Sequence, residues 1–352
     1  MGAMDALPVF DGHNDTLLRL VLRKGTDKER DFFSEAAFDH IDYPRARRGG
    51  FAGGFFAMFT PSRRNPGAAD KYDPDDQSNF GELDQARAVA LTLKMAALAH
   101  RLAREAPDKV AIATNSAAVA AAMEGGPMAL LLHIEGAEAI DPDFAALDVF
   151  HAAGLRSLGL VWSRPNAYGT GVPMAHPASP DLGDGLTDAG KALVKACNDR
   201  NILIDLSHLN EKGFWDVAAI TAHPLVATQS NAHALCPSAR NLTDKQLDAI
   251  AETNGVVGIN FHVGFLREDG KFRSDTPIET IVRHADHLIA RLGEDGVALG
   301  SDFDGCMVPR DMVDVAGLPK LVAAFREAGY GEELIAKICF RNWVSVLRRT
   351  IG

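Results

Sequence analysis

The chain is short of cysteine, of long apolar runs and of positive charge, and each shortage closes off a class of function. Its four cysteines (Cys197, Cys236, Cys306, Cys339) are scattered, with no C-x-x-C pair. They read as reduced structural residues, and the zinc-finger reading fails. Any metal must then be held by histidine and carboxylate. No run of about 18 apolar residues exists, so nothing reads as a membrane span. A net charge of −11 argues against nucleic acid or an anionic membrane as partner. The opening Met-Gly-Ala-Met-Asp lacks the basic region and apolar core of a secretory leader, which predicts a soluble cytoplasmic protein.

What the chain does have is alternation. Its 352 residues, 47% of them hydrophobic, suffice for a large core, as one α/β domain or two smaller ones. Apolar runs of strand length occur at Pro8–Gly12, Phe51–Phe59, Ala129–Ile134, Leu155–Trp162, Ile202–Leu206, Leu225–Thr228, Val256–Phe261 and Val297–Gly300. Their continuous apolar character suits parallel strands covered on both faces. Helical patterns lie between them at Phe80–Ala106, Phe144–Ala153, Thr187–Arg200, Asp244–Thr253 and Ile278–Leu292, with Asn241 or Thr243 as a cap. About eight βα units in one chain favour a closed (β/α)₈ TIM barrel over residues 1–352 as a single domain. Pro319–Ile351 reads as two closing helices split at Gly329-Tyr330-Gly331. A dinucleotide-binding sheet would need G-x-G-x-x-G, a spacing that Gly49-Gly50 and Gly53-Gly54 lack. Two long loops, Pro61–Gln77 and Ser163–Gly185, follow strand C-termini, where a barrel builds its active site.

Those strand ends carry ligand-type side chains. If the first run is a strand, period two puts His13 and Asp15 on one face. An isolated H-x-D is more often a turn in which Asn and Asp cap the next helix, but later strand ends supply partners. Ala129–Ile134 is followed by Glu135, Ile202–Leu206 by Ser207-His208, and Val297–Gly300 by Ser301-Asp302. In a barrel these ends converge on one mouth. Glu135 can bridge two ions with its two oxygens, and divalent ions roughly 3.5 Å apart deprotonate a water between them. Asp302 can then carry a proton to a leaving amine.

Taken in order, Asp-Gly-His-Asn-Asp, Ile-Glu-Gly, Asp-Leu-Ser-His and Gly-Ser-Asp-Phe-Asp-Gly resemble the membrane (renal) dipeptidase family, zinc enzymes among the amidohydrolase barrels. Ser230-Asn231-Ala232 through Arg240-Asn241-Leu242-Thr243-Asp244 adds to the match, which spans nearly the whole chain. The resemblance implies one zinc on His13, Asp15 and Glu135, with Glu135 bridging to a second that His208 also holds. It implies Asp302 as the acid/base residue, Arg240 gripping the substrate's C-terminal carboxylate, attack by a metal-bound hydroxide, tolerance of L-X-D-X dipeptides, and a homodimer.

The chain departs from the family pattern at two site positions. Gln229 stands where the family has a second-zinc histidine, and an amide oxygen is a poorer ligand for zinc. Either it, water or His233 completes that site, or one ion is lost. Trp162 stands where an oxyanion-binding histidine is expected, leaving Arg164, Asn166 or the indole N–H for that role. Alternatives are another amidohydrolase-type reaction, such as N-acyl amino acid deacylation or lactone opening, and a barrel that binds without turnover. His133 reads as a core residue or one behind the site, His262 as a pocket residue, and His40 and His284 as surface or interhelical. Asp304 reads as turn chemistry before Gly305.

Overall fold

A computed structural model describes residues 6–62 and 80–352. Nine parallel strands run β1 (Val9–Asn14), β2 (Phe51–Phe59), β3 (Val110–Ile112), β4 (Met128–Glu135), β5 (Leu155–Gly159), β6 (Leu203–Asp205), β7 (Val226–Ala227), β8 (Val256–Ile259) and β9 (Val297–Leu299). Eight lie side by side in the order β1-β2-β4-β5-β6-β7-β8-β9. These eight are the apolar runs of the sequence. The ninth, β3, is too short to show a period; it pairs with Met128–Leu130 of β4, below the residues that β5 takes. The sheet nearly closes on itself where the end of β1 meets the residues after β9. There the Asp15 N–H donates to the Phe303 carbonyl and the Asp302 N–H to the His13 carbonyl, both at 2.9 Å.

Period two sorts the strand residues. On β4, Leu130, Leu132 and Ile134 face out and pack in one layer with the helix residues Leu17, Ala88, Met95 and Ala99. Leu131 faces the lumen with Phe10, Phe55, Leu203, Val226, Val256 and Ala298. The same alternation turns His133 and Glu135 inward. Trp343, from the helix Asn342–Thr350, plugs the lumen from below, its indole N–H donating to the Leu299 carbonyl at 2.9 Å. A Cβ on Gly12 would stand 2.6 Å from that indole, so the glycine before His13 makes room for the plug.

The helices match the patterns to within a few residues, as Gln85–Glu105, Ala145–Ala152, Asp188–Asp199, Asp244–Glu252 and Glu279–Leu292. The cap of Asp244–Glu252 is Thr243, whose N–H donates to Gln246 Oε1. After Gly329 the chain is helical from Glu332 to Thr350 through a π turn at Lys337–Arg341. The expected loop Pro61–Gln77 lies outside the described residues beyond Ser62. The loop Ser163–Gly185 is tied down by antiparallel bridges Pro165–Thr170 and Gly171–Leu209.

Candidate metal centre

β1 delivers His13 and Asp15 to the mouth of the barrel. Thr16–Arg23 begins as a helix directly after Asp15, yet the Asp15 side chain makes no capping bond; Asn14 Oδ1 accepts the Thr16 N–H instead. That frees the Asp15 carboxylate. His13 Nε2 lies 3.8 Å from Asp15 Oδ2 and 3.7 Å from Glu135 Oε2. Ligand atoms of His13, Asp15 and Asp302 all fall within 4.8 Å of one another. Both His13 nitrogens and Asp15 Oδ1 are buried without a hydrogen-bond partner among the described residues. Gly305 keeps the carboxylates in place: a Cβ there would come within 2.2 Å of Asp15 Oδ2 and 2.3 Å of Asp302 Oδ1. Asp302 and His208 both hold left-handed backbone, at φ 59° and 67°, a strain that persists where surrounding structure enforces it.

The opposite side of the centre is closed by hydrogen bonds. Glu135 Oε1 meets His208 Nε2 at 2.9 Å and accepts from Gln229 Nε2 at 3.0 Å. His208 Nδ1 lies 2.8 Å from Ser163 Oγ. Asn260 Nδ2 donates to both Gln229 Oε1 and Asp302 Oδ2, each at 3.0 Å. Asn260 is therefore a site residue that the sequence did not single out. Its position directly after the buried run of β8 was the available signal.

Charge explains what the open side needs. Burial alone would lower the His13 pKa, but the negative charges of Glu135, Asp15 and Asp302 overcome it and push it up to about 10. Burial, helped by Asp15 and Asp302, pushes Glu135 up to about 8, and burial with Asp15 raises Asp302 to about 6. Three crowded carboxyl groups thus exceed the positive charge that Arg240 brings to the centre, and they favour the protonated form of His13. One imidazole and several carboxylate oxygens, some of them unpartnered, suit a borderline or hard divalent ion such as zinc. The residues fit the metal that the sequence motifs imply.

A second tier holds these groups. Asp11, pushed up to about 7 by burial, accepts from the Ser301 N–H and Oγ and so fixes the turn that carries Asp302. His133 packs edge-on against the His13 ring at 5.5 Å, and its Nε2 lies 3.7 Å from Asp205. Asp304 accepts from Thr16 Oγ1 and the His40 N–H, and its own N–H donates to His40 Nδ1. His40 thus serves the mouth rather than a surface or a helix pair.

The remaining candidates separate. Arg240 is buried beside the centre; it donates to the Gln229 carbonyl at 2.9 Å, while its Nε has no partner among the described residues. Arg164 is different. Its Nε donates to Glu138 Oε1 at 2.6 Å, and its other nitrogens to Ser62 Oγ and the Thr60 carbonyl. The guanidinium braces the rim and points its donors at protein, not into the mouth. Trp162 stacks on Phe80 at 5.6 Å and leans on Phe59 and on His208. Asn166 turns away, donating to the Leu160 carbonyl. His233 reaches the Ala178 carbonyl at 2.9 Å, outside the centre. His262 Nδ1 accepts from Gly264, and its ring sits against Phe265 and Phe272. His284 is buried between Ala232 and Leu266.

The family model for membrane dipeptidase (Peptidase family M19) matches residues 3–351. A metallo peptidase from Rhodobacter sphaeroides, solved with a phosphinate mimic of the dipeptide L-Ala-D-Ala, is 48% identical. The two superpose with a TM-score of 0.92 over 98% of this chain and 100% of that one. An "uncharacterized protein in pqqA 5′ region" of Klebsiella pneumoniae is 48% identical over 252 residues, which are 72% of this chain and 93% of that protein. "Dipeptidase tcpJ" of Claviceps purpurea is 27% identical over 96% of this chain and 76% of its own length. The chain belongs to the membrane dipeptidase family and is a metal-dependent hydrolase acting on dipeptides. No helix among the described residues is long and apolar enough to cross a membrane.

Proposed function

We propose that the chain cleaves the peptide bond of L-X-D-X dipeptides with a divalent metal, zinc by family, held by His13, Asp15, Glu135 and Asp302. The unpartnered His13 and Asp15 atoms, within 4.8 Å of Asp302, carry this reading. The bound ion supplies a water of lowered pKa and polarises the scissile carbonyl.

The protein's own groups do the rest. Asp302 is anchored through Oδ2 by Asn260 beside His13 and Asp15, a positioned carboxylate that can take and return a proton. It takes the proton of the attacking water and delivers it to the leaving amine. Arg240, held at its Nη2 by the Gln229 carbonyl, keeps its Nε for the substrate's free carboxylate. Trp162, Phe59 and Phe80 wall off the His208 side from water. The neighbour from R. sphaeroides, with its L-Ala-D-Ala mimic, supports the stereochemical preference.

The test is a substrate panel offered to metal-loaded protein. L-Ala-D-Ala should be hydrolysed well above the buffer rate, and N-acyl amino acids and lactones should not. Hydrolysis of the acyl amino acids or lactones alone would replace the dipeptidase reading.

A further inference from the structure

We infer that the centre holds a single ion, and that the amide of Gln229 occupies the place of a second one as a fixed hydrogen-bond donor. The inference rests on the metal centre proposed above and concerns its stoichiometry.

The orientation of the amide decides the matter, and a chain of contacts sets it. The His262 backbone N–H donates to Asn260 Oδ1 at 2.6 Å. A backbone N–H can only donate, so the other end of the Asn260 amide is its NH₂ group. That NH₂ faces Asp302 Oδ2, an acceptor, and Gln229 Oε1 at 3.0 Å. The Gln229 oxygen is thereby spent on Asn260. What Gln229 turns toward Glu135 and His208 is its nitrogen, 3.0 Å from Glu135 Oε1 and 3.5 Å from His208 Nε2. An amide nitrogen carries two donor hydrogens and offers no lone pair to a cation.

His208 agrees with this. Its Nε2 lies 2.9 Å from Glu135 Oε1, which also accepts from Gln229. With the proton on Nε2, Nδ1 is left to accept from the Ser163 hydroxyl at 2.8 Å. An imidazole protonated at Nε2 does not ligate through that atom. Glu135 is thus split: Oε1 is held by two nitrogen donors, and Oε2 faces His13 at 3.7 Å. Among the described residues, the unpartnered ligand atoms of the centre are those of His13 and Asp15. Gln229 and His208 hold the Glu135 carboxylate in place as a second cation would, without its charge.

The test counts metal in the full chain, independently of turnover. The protein is equilibrated with zinc or with manganese, freed of unbound ion, and analysed for metal content; the manganese form is examined by electron paramagnetic resonance. One ion per chain is expected, with the spectrum of an isolated manganese. Gln229→His, which restores a ligating nitrogen, should raise the count to two and give a spin-coupled spectrum. Two spin-coupled ions in the unmodified chain would overturn the inference and leave the metal centre standing. No bound ion at all would overturn both. If Gln229→His does not fold, the ion count and spectrum of the unmodified chain decide alone.

Discussion

His13 and Asp15 enter the mouth with three buried polar atoms unpartnered, whereas Glu135 Oε1, His208, Gln229 and Asn260, a few ångströms away, bond to one another. A buried polar atom left unpaired costs on the order of 1–3 kcal/mol, so the first side is held by the fold at a loss. Such a loss is recovered only when something binds. The second side recovers its desolvation within the protein and needs no ligand. The contrast separates the residues that wait for a metal from those that position them.

Substitutions on the two sides should therefore differ in kind. His13→Ala should lose the ion and all activity above background, the largest effect expected. Asn260→Ala should keep the ion. It strips partners from Gln229 and Asp302, so stability should fall by about 1–3 kcal/mol while the ion count stays at one. Metal analysis of both variants, with denaturant unfolding of Asn260→Ala, would show the contrast; loss of the ion in Asn260→Ala would erase it. Asp302→Asn keeps an oxygen beside the ion and removes the proton carrier. Its turnover should fall by roughly 10²–10⁴, the range for a positioned acid/base group, with metal retained.

Gly305 offers a gentler break. Its missing Cβ leaves the space in which Asp15 Oδ2 and Asp302 Oδ1 approach each other. Gly305→Ala should push them apart and weaken metal binding by about 10–100-fold, the scale on which a misplaced ligand support acts. Competition with a chelator measures this. Unchanged affinity would mean that the turn after β9 yields more easily than its packing suggests.

The open side was readable from the sequence and the closed side only in part. His13, Asp15, Glu135, His208 and Asp302 each follow a continuous apolar run, and a barrel sends all such ends to one mouth. Gln229 was readable as a departure, but not the direction of its amide, which depends on an asparagine 31 positions later and on a backbone N–H beyond that. Asn260 looks like an ordinary turn residue until Gln229 and Asp302 are seen on its amide. Arg164 looks like a free cation beside the mouth; its partner Glu138 lies 26 positions back on another connection. Local patterns report where a strand ends, and tertiary pairing decides which side chains there are already spoken for.

The smallest expected effect is one of acidity, and it divides the metal-free protein from the loaded one. In the metal-free state His13 is raised to about 10, so its contribution to stability is complete below about pH 6.5 and is lost as pH climbs toward 10. Asp302, Asp11 and Glu135 are raised to about 6, 7 and 8, so the folded chain holds protons there that the unfolded chain has released. All four shifts have the same sign, whereas burial depresses His40, His133, His208, His262 and His284, which act the other way up to about pH 6.5; above that only the four raised groups remain, and stability falls as pH rises from about 7 to 9. A bound divalent ion replaces those protons. The melting temperature with chelator present should drop across that interval, and that of the metal-saturated protein should change less, so that the gap widens with pH. Thermal scans at pH 7, 8 and 9 measure it. A gap that narrows with pH would mean that the protons the ion displaces are not those of the His13 cluster.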